Sequence, residues 1–345
     1  MTKPLISVIT AVYNGSAFVD ETIRSILSQT IDNFEYIIID DASTDDSADH
    51  IRKFTDPRIR FIQNSTNLRL VKTRNLGLAA AVGKYIALID HDDVALPNRF
   101  EEQLQAIIDD PELVMVASYA VNIDESGNLG NIRGNINDSD DELKVRLLFR
   151  NPFINSTLFF KNYHETGLRY HYKFPLSEDY DFIVRLSEKG KLHLIKKVLL
   201  EYRVHTSNYS QTMNHSMIEL GSEVKRRLLR GLNIEVNETD LLIHSNFEHQ
   251  LMPYDQKVLD LMGDWAKKLL KSSDGSAVYE KNIFCNVLYD ELSIVAEKSV
   301  ELMRNNFLYY LKQPYFSALR NNPSAAIRLI LKLLIRRSIR NKFYL

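Results

Sequence analysis

"FEYIIIDDASTDDSADHIRKF", residues 34–54, sets a nearly continuous apolar run, 34–40, directly before an acidic, hydroxyl-rich turn and a segment with helical spacing. A strand that is apolar on both faces belongs inside a parallel sheet covered on both sides. The helix after it, Asp45 to Phe54, has Ser43 or Thr44 as its expected cap. The same unit recurs around it. "LISVITAV" (5–12) precedes a helix over Phe18–Gln29, "IRFIQ" (59–63) precedes Leu70–Ala81, and "KYIALID" (84–90) precedes Pro97–Ile108, with Pro97 suited to a first helical position. "LVMVAS" (113–118) is a fifth strand. Strand–helix alternation with short loops predicts an α/β fold: a mostly parallel central sheet with helices on both faces.

Beyond residue 120 the pattern loosens. Residues 125–142 read as loop or hairpin, 151–160 as loop then strand, 177–190 as a helix capped by Ser177, and 192–205 as a strand or strand pair. Leu, Ile and Met recur at three and four spacing from 208 to 320, which predicts a helical C-terminal region. The expected division is a sheet domain over 1–210, a helical region over 211–320 and a tail helix over 321–345.

Composition is that of an ordinary globular chain, 45% apolar and 26% charged, with a formal net charge of −2. The single cysteine, Cys285, excludes an internal disulfide and fits a reducing cytoplasm. The opening "MTKPLISVITAVYNG" reads as a first strand and not as a signal peptide. Charge is unevenly spread: Glu301 is the last acid, and nine basic residues follow it.

In an open parallel sheet, ligands bind outside the carboxyl ends of the strands. Polar groups gather there: "YNGS", "DDASTDDS", "NSTN" and "DHDD" follow the first four strands. Taken singly, each loop is equally a set of turn residues and caps. Neither a dinucleotide-binding glycine motif nor a P-loop is present, so phosphate charge must be met otherwise. A hard divalent cation, Mg2+ or Mn2+, can bridge carboxylates to phosphate. Asp90, Asp92 and Asp93 are placed to hold it, with Lys72 or Arg74 of "VKTRN" supplying positive charge to the phosphates.

Four segments in order, "ISVITAVYNG", "FEYIIIDDASTDDS", "RNLGLAAAVGKYIALIDHDDVALPNRFEEQ" and "SEDYDFIVRL", resemble the family 2 glycosyltransferases over roughly residues 4–210. The resemblance implies a Rossmann-like, A-type nucleotide-sugar-binding fold and an inverting transferase that moves a sugar from a nucleotide-sugar, usually a UDP-sugar. It implies that Asp40 and Asp41 read the nucleobase, Asp41 the more directly, with Val12 and Tyr13 lining the same end. "DHDD" matches the DxD motif, in which Asp90 lies near the ribose, Asp92 is the principal metal ligand and Asp93 supports it. The Glu178–Asp179 pair matches the catalytic-base segment, with Asp179 the base. His205 of "YRVHTSNYS" matches a histidine that often reaches the metal or the diphosphate. The bland alternative for "SEDYD" is a helix start whose acids favour the N-terminal dipole.

Two positions depart from the family pattern: His91, in the middle of the DxD motif, and Asn155, where many relatives carry histidine. His91 is expected to point away from the metal. The tail, 323–345, interleaves Ile and Leu with Arg and Lys. Its apolar runs fall short of the roughly 20 residues of a membrane span. It reads as a basic amphipathic helix for an anionic membrane surface, the alternative being a helix docked on the protein body. That would put the chain on the inner face of the cell membrane, near a saccharide or lipid-linked saccharide acceptor in bacterial surface polysaccharide, lipopolysaccharide or glycan synthesis. A nucleic-acid partner is not expected of an acidic body. Two competing functions stay open: a nucleotidyltransferase, which would release pyrophosphate, and a non-catalytic membrane-associated partner module, which would bind no nucleotide.

Overall fold

The computed structural model describes residues 3–163, 166–205, 214–274 and 278–299. The tail over 323–345, and with it the membrane-surface expectation, lies outside the described residues. The first half alternates as its periodicity predicts: β1 (Ile6–Val12), α1 (Val19–Leu27), β2 (Phe34–Asp40), α2 (Ser47–Arg52), β3 (Ile59–Gln63), α3 (Leu70–Ala80), β4 (Tyr85–Leu88), a short β5 (Val94–Ala95) and α4 (Arg99–Asp109). There follow β6 (Leu113–Ile123), β7 (Leu129–Arg133), α5 (Asp140–Arg146), a 3-10 turn (Asn155–Thr157), β8 (Phe159–Lys161), α6 (Glu178–Ser187) and β9 (Lys191–Arg203).

One sheet runs in the order β3-β2-β1-β4-β8-β6-β9-β5, with β7 on β6. The β3, β2, β1 and β4 strands are parallel neighbours. β8 lies antiparallel to both β4 and β6, and β6 returns to a parallel pairing with β9. The sheet is therefore mixed, and its antiparallel part comes from the stretch with no strand–helix rhythm. Alternate residues of β1 go to opposite faces. Ile6, Val8 and Val12 join Val19, Ile23 and Ile26 of α1 and Phe100, Leu104 and Ile107 of α4 in one core cluster. Ile9 faces the other way, where a Cβ on Gly77 of α3 would lie 2.4 Å from Ile9 Cγ2. Gly77 thus lets α3 sit close on the sheet, and the sheet is covered on both faces.

Two expected caps are not made, and one helix starts later than expected. No side-chain cap closes α2, whose N-cap residue is Asp46. Ser43 instead accepts from the Asn14 amide through Oγ (2.9 Å), and the Thr44 amide donates to Asn14 Oδ1 (2.8 Å). Those two residues tie the turn after β2 to the turn after β1. Ser177 precedes α6 without a side-chain cap bond, and α4 begins at Arg99, two residues past Pro97.

Contacts divide the chain into two compact units, Met1–Lys144 with Pro152–Gly221, and Val145–Asn151 with Ser222–Leu345. Helices α7 (Asn214–Gly231), α8 (Glu238–His249), α9 (Gln256–Ser273) and α10 (Lys281–Lys298) follow the sheet. In the second unit, Val145, Leu148 and Phe149 are buried with Phe247, Trp265 and Leu288. Glu291, fully buried, takes hydrogen bonds from Arg146 (2.8 Å) and Arg150. His244 is held neutral between the Trp265 indole N–H (3.0 Å) and the Leu148 carbonyl (2.8 Å), and burial lowers its pKa to about 3.

A seven-residue piece of chain inside the sheet domain's sequence is thus a core element of the helical unit. A chain ending at Gly221 uncovers Val145, Leu148 and Phe149, each costing about 1.5–3 kcal/mol, and removes the partner of two arginines. It is expected not to yield a soluble folded fragment, as read by expression and thermal melting. A cooperative melt near that of the full chain would contradict this.

Candidate active site

The site is built where β1, β2 and β4 end. Val12 is buried and its carbonyl accepts from the Asp41 amide at 2.8 Å, while Tyr13 beside it is 46% exposed. Asn14 (φ 51°) and Ala42 (φ 58°) are both left-handed, a conformation that non-glycine residues hold only when their surroundings impose it. Asp40 is fully buried and accepts from Gln63 Nε2 (3.0 Å) and the Ser43 amide (3.2 Å). Asp41 accepts from Asn64 Nδ2 and the Leu68 amide at 2.8 Å and from the Arg69 amide at 2.9 Å. Its carboxylate therefore holds the loop that leads into α3, in which Arg69 has φ 72°.

Arg74 is the centre of charge. It is buried on α3 and donates to Glu178 Oε1 (2.7 Å) and Asp90 Oδ1 (2.8 Å), with its guanidinium 5.8 Å from the centroid of the Tyr170 ring. One cation thus links the acidic turn after β4 to the first residue of α6. Burial would raise the pKa of Asp90, but Arg74 beside it outweighs that and holds the carboxyl below its usual range. Glu178 also accepts from the Leu176 amide at 2.8 Å, and Leu176 is left-handed at φ 84°. Asp179 follows, half-buried, accepting from the Tyr180 amide at 2.7 Å. Burial, then the Glu178 carboxylate, pushes its pKa up to about 6, against the pull of Arg74. Lys72 is exposed on α3 and makes none of these contacts.

The "DHDD" turn holds three unequal aspartates. Asp90 belongs to Arg74, and its amide donates to Ser156 Oγ at 3.0 Å. Asp92 Oδ2 meets His205 Nε2 at 2.9 Å, with both side chains mostly buried. Asp93 is buried, with Oδ1 on the Arg203 amide (2.9 Å) and Oδ2 without a hydrogen-bond partner among the described residues. Burial, then Asp92 and Asp90, raises its pKa well above the usual carboxylate range. Among the described residues no three His, Cys, Asp or Glu side chains enclose a cation by themselves. Asp92 and His205 nonetheless converge, and Mg2+ or Mn2+ characteristically binds through one or two protein groups plus substrate phosphate oxygens. The donor set fits such an ion.

His91 points back toward β1, with Nδ1 3.3 Å from the Ala11 carbonyl. Its ring fills the space that a side chain at Gly15 would need: an added Cβ would fall 2.3 Å from His91 Cδ2. Gly15→Ala is therefore expected to displace His91 and lower activity, costing about 1–3 kcal/mol in thermal melts as an overpacking change. His91→Ala in the same chain should recover the loss; no recovery would contradict the pairing.

Several residues here escape the sequence patterns. Arg203, Thr22 and Ser156 bond to the turn, and Phe18 and Glu21 in turn contact Arg203; the one signal for Arg203 is its two-residue spacing from His205 in "YRVH". Asn155 reaches Asp90 Oδ1 with Nδ2 only at 3.5 Å.

The chain matches the family described as Glycosyl transferase family 2 over residues 7–177. It is 32% identical over 258 residues to an uncharacterized glycosyltransferase of Haemophilus influenzae, covering 69% of this chain and 80% of that one. It is 34% identical over 215 residues to an uncharacterized glycosyltransferase of Methanocaldococcus jannaschii, covering 61% and 74%. The chain belongs to glycosyl transferase family 2 and is a glycosyltransferase. Among solved structures, S. aureus TarS 1-349 in complex with UDP is similar with a TM-score of 0.55 at 17% identity, covering 98% of this chain and 92% of that one. The complex of the same protein with UDP-GlcNAc gives 0.53 at 16%, covering 96% and 93%. This chain spans 53% of the longer TarS structure. At such identities the likeness concerns the fold alone, and it agrees with the expected A-type architecture.

Proposed function

We propose that this chain is an inverting, metal-dependent glycosyltransferase that moves a sugar from a UDP-sugar to a saccharide or lipid-linked saccharide acceptor in bacterial surface-glycan synthesis. The observation that carries the reading is the Glu178–Arg74–Asp90 bridge, which ties the segment of Asp179, a carboxyl of raised pKa, to the turn whose Asp92 meets His205 from the end of β9. In this reading Asp179 takes the proton from the acceptor hydroxyl as that oxygen attacks the anomeric carbon. Glu178, paired with Arg74, keeps the base segment in register with Asp90. A single base and in-line attack invert the anomeric configuration.

Asp92 and His205 would hold Mg2+ or Mn2+, which when bound offsets charge on the leaving diphosphate. Asp90, paired with Arg74, lies beside them, and Asp93 supports the turn by accepting from the Arg203 amide. Val12, Tyr13, Asp40 and Asp41 form the nucleobase end, and Asp41 does so through the loop it anchors. Lys72 and Arg74 provide the nearby positive charge. The TarS complexes with UDP and UDP-GlcNAc support a uridine nucleotide. The catalytic unit is Met1–Lys144 with Pro152–Gly221, and the basic tail over 323–345 brings it to an anionic membrane surface. Among the described residues no helix is long and apolar enough to cross a membrane.

The pH dependence tests the base. A carboxyl with a pKa raised to about 6 is a proton acceptor only above that value. The ratio kcat/KM should therefore rise tenfold per unit up to pH about 6 and then level off. A flat profile down to pH about 4, the unperturbed carboxylate value, would contradict the assignment.

A further inference from the structure

We propose that Arg203 is a positioning residue for sugar transfer: it ties the turn carrying Asp92 and Asp93, the start of α1 and the turn after β6 into one arrangement, so that Asp92 and His205 meet. Arg203 is 1% exposed at the end of β9. Its Nε donates to the Asp92 carbonyl at 2.9 Å, and its amide to Asp93 Oδ1 at 2.9 Å. One terminal nitrogen donates to the Asp124 carbonyl at 3.1 Å, and the other pairs with Glu21 Oε2 of α1 at 2.5 Å. The guanidinium lies 4.7 Å from the centroid of the Phe18 ring, and that ring in turn lies 5.2 Å from His205. Thr22, on the turn of α1 beside Glu21, has Oγ1 within 2.9 Å of the His91 carbonyl and 2.8 Å of the Asp93 carbonyl.

A flat, fivefold donor can serve two carbonyls, a carboxylate and an aromatic face at once. A lysine ammonium at the same place would reach only part of this set and would leave buried carbonyls unmet. Arg203 touches neither the sugar nor the diphosphate in this account. It acts by holding the backbone of the turn, from which Asp92 projects, against the element that carries His205.

The inference rests on the UDP reading in its affinity arm only, and the experiment separates the two. Hydrogen exchange would be followed by mass spectrometry on the full chain without nucleotide, together with UDP titrations in Mn2+, for the unaltered protein, Arg203→Lys and Glu21→Gln. In Arg203→Lys, exchange over 91–93 and 124–126 is expected to rise about tenfold or more while β2 and α6 keep their protection. UDP should bind about tenfold more weakly, a loss of about one factor of ten in the equilibrium constant. Glu21 has a side chain 54% exposed, so Glu21→Gln should fold and loosen the same segments to a smaller extent. If Arg203→Lys does not fold, Glu21→Gln decides alone. Exchange that rises uniformly along the chain, or not at all, overturns the proposal, as does unchanged UDP affinity once those turns are loosened. Failure of the unaltered protein to bind UDP refutes the nucleotide reading, while the exchange pattern still decides on Arg203.

Discussion

Asp179→Asn is expected to lower sugar transfer by about 10²–10⁴-fold, the range that removal of a general base produces. The change is nearly isosteric. An asparagine carbonyl still accepts from the Tyr180 amide, so the start of α6 stays as it is. It also removes a negative charge that Glu178 disfavours, so stability should not fall. What is lost is the proton acceptor. UDP binding, which in this account depends on Asp92, Asp41 and their neighbours, should remain within about twofold, less than 0.5 kcal/mol. Steady-state transfer kinetics beside a UDP titration check the prediction. Full activity in Asp179→Asn would remove Asp179 from its role as base.

Asp92→Ala acts on the other half of the chemistry. Its carbonyl, which Arg203 Nε uses, survives the substitution, so the turn should persist. The carboxylate does not, and His205 loses the partner it holds at 2.9 Å. Mn2+ is then expected no longer to strengthen UDP binding, and kcat/KM to fall by about 10²–10³-fold, the scale of one lost electrostatic stabiliser. Calorimetric titrations with and without Mn2+ read the first effect directly. A variant that keeps its metal-dependent UDP affinity would move the metal site away from Asp92.

The strand–helix units up to residue 109 were legible because burial on both faces of a parallel sheet leaves a strong apolar signature, as in β2. The acids at the strand ends were legible for a related reason: nothing but a turn or a ligand accounts for charge placed directly after a buried strand. Less was readable where contacts are distant in sequence. Arg203 meets Glu21 across 182 positions, and Arg74 meets Glu178 across 104, so neither pairing has any local pattern to show. The caps failed because Ser43 and Thr44 found partners on the turn after β1, which the local sequence does not contain. Residues 145–151 read as part of the sheet domain because their apolar residues resemble any helix; only Glu291 and the helical core decide where they belong. His91, which has no obvious place in an acidic motif, proves to be the complement of a glycine.

Product analysis with a panel of UDP-sugars, Mn2+ and candidate saccharide acceptors asks which bond is broken, and so separates sugar transfer from nucleotidyl transfer. Release of UDP with at least one donor is expected, stopped by a chelator and by Asp179→Asn, with a product of inverted anomeric configuration. Release of pyrophosphate, or a product that keeps the donor's configuration, would contradict it.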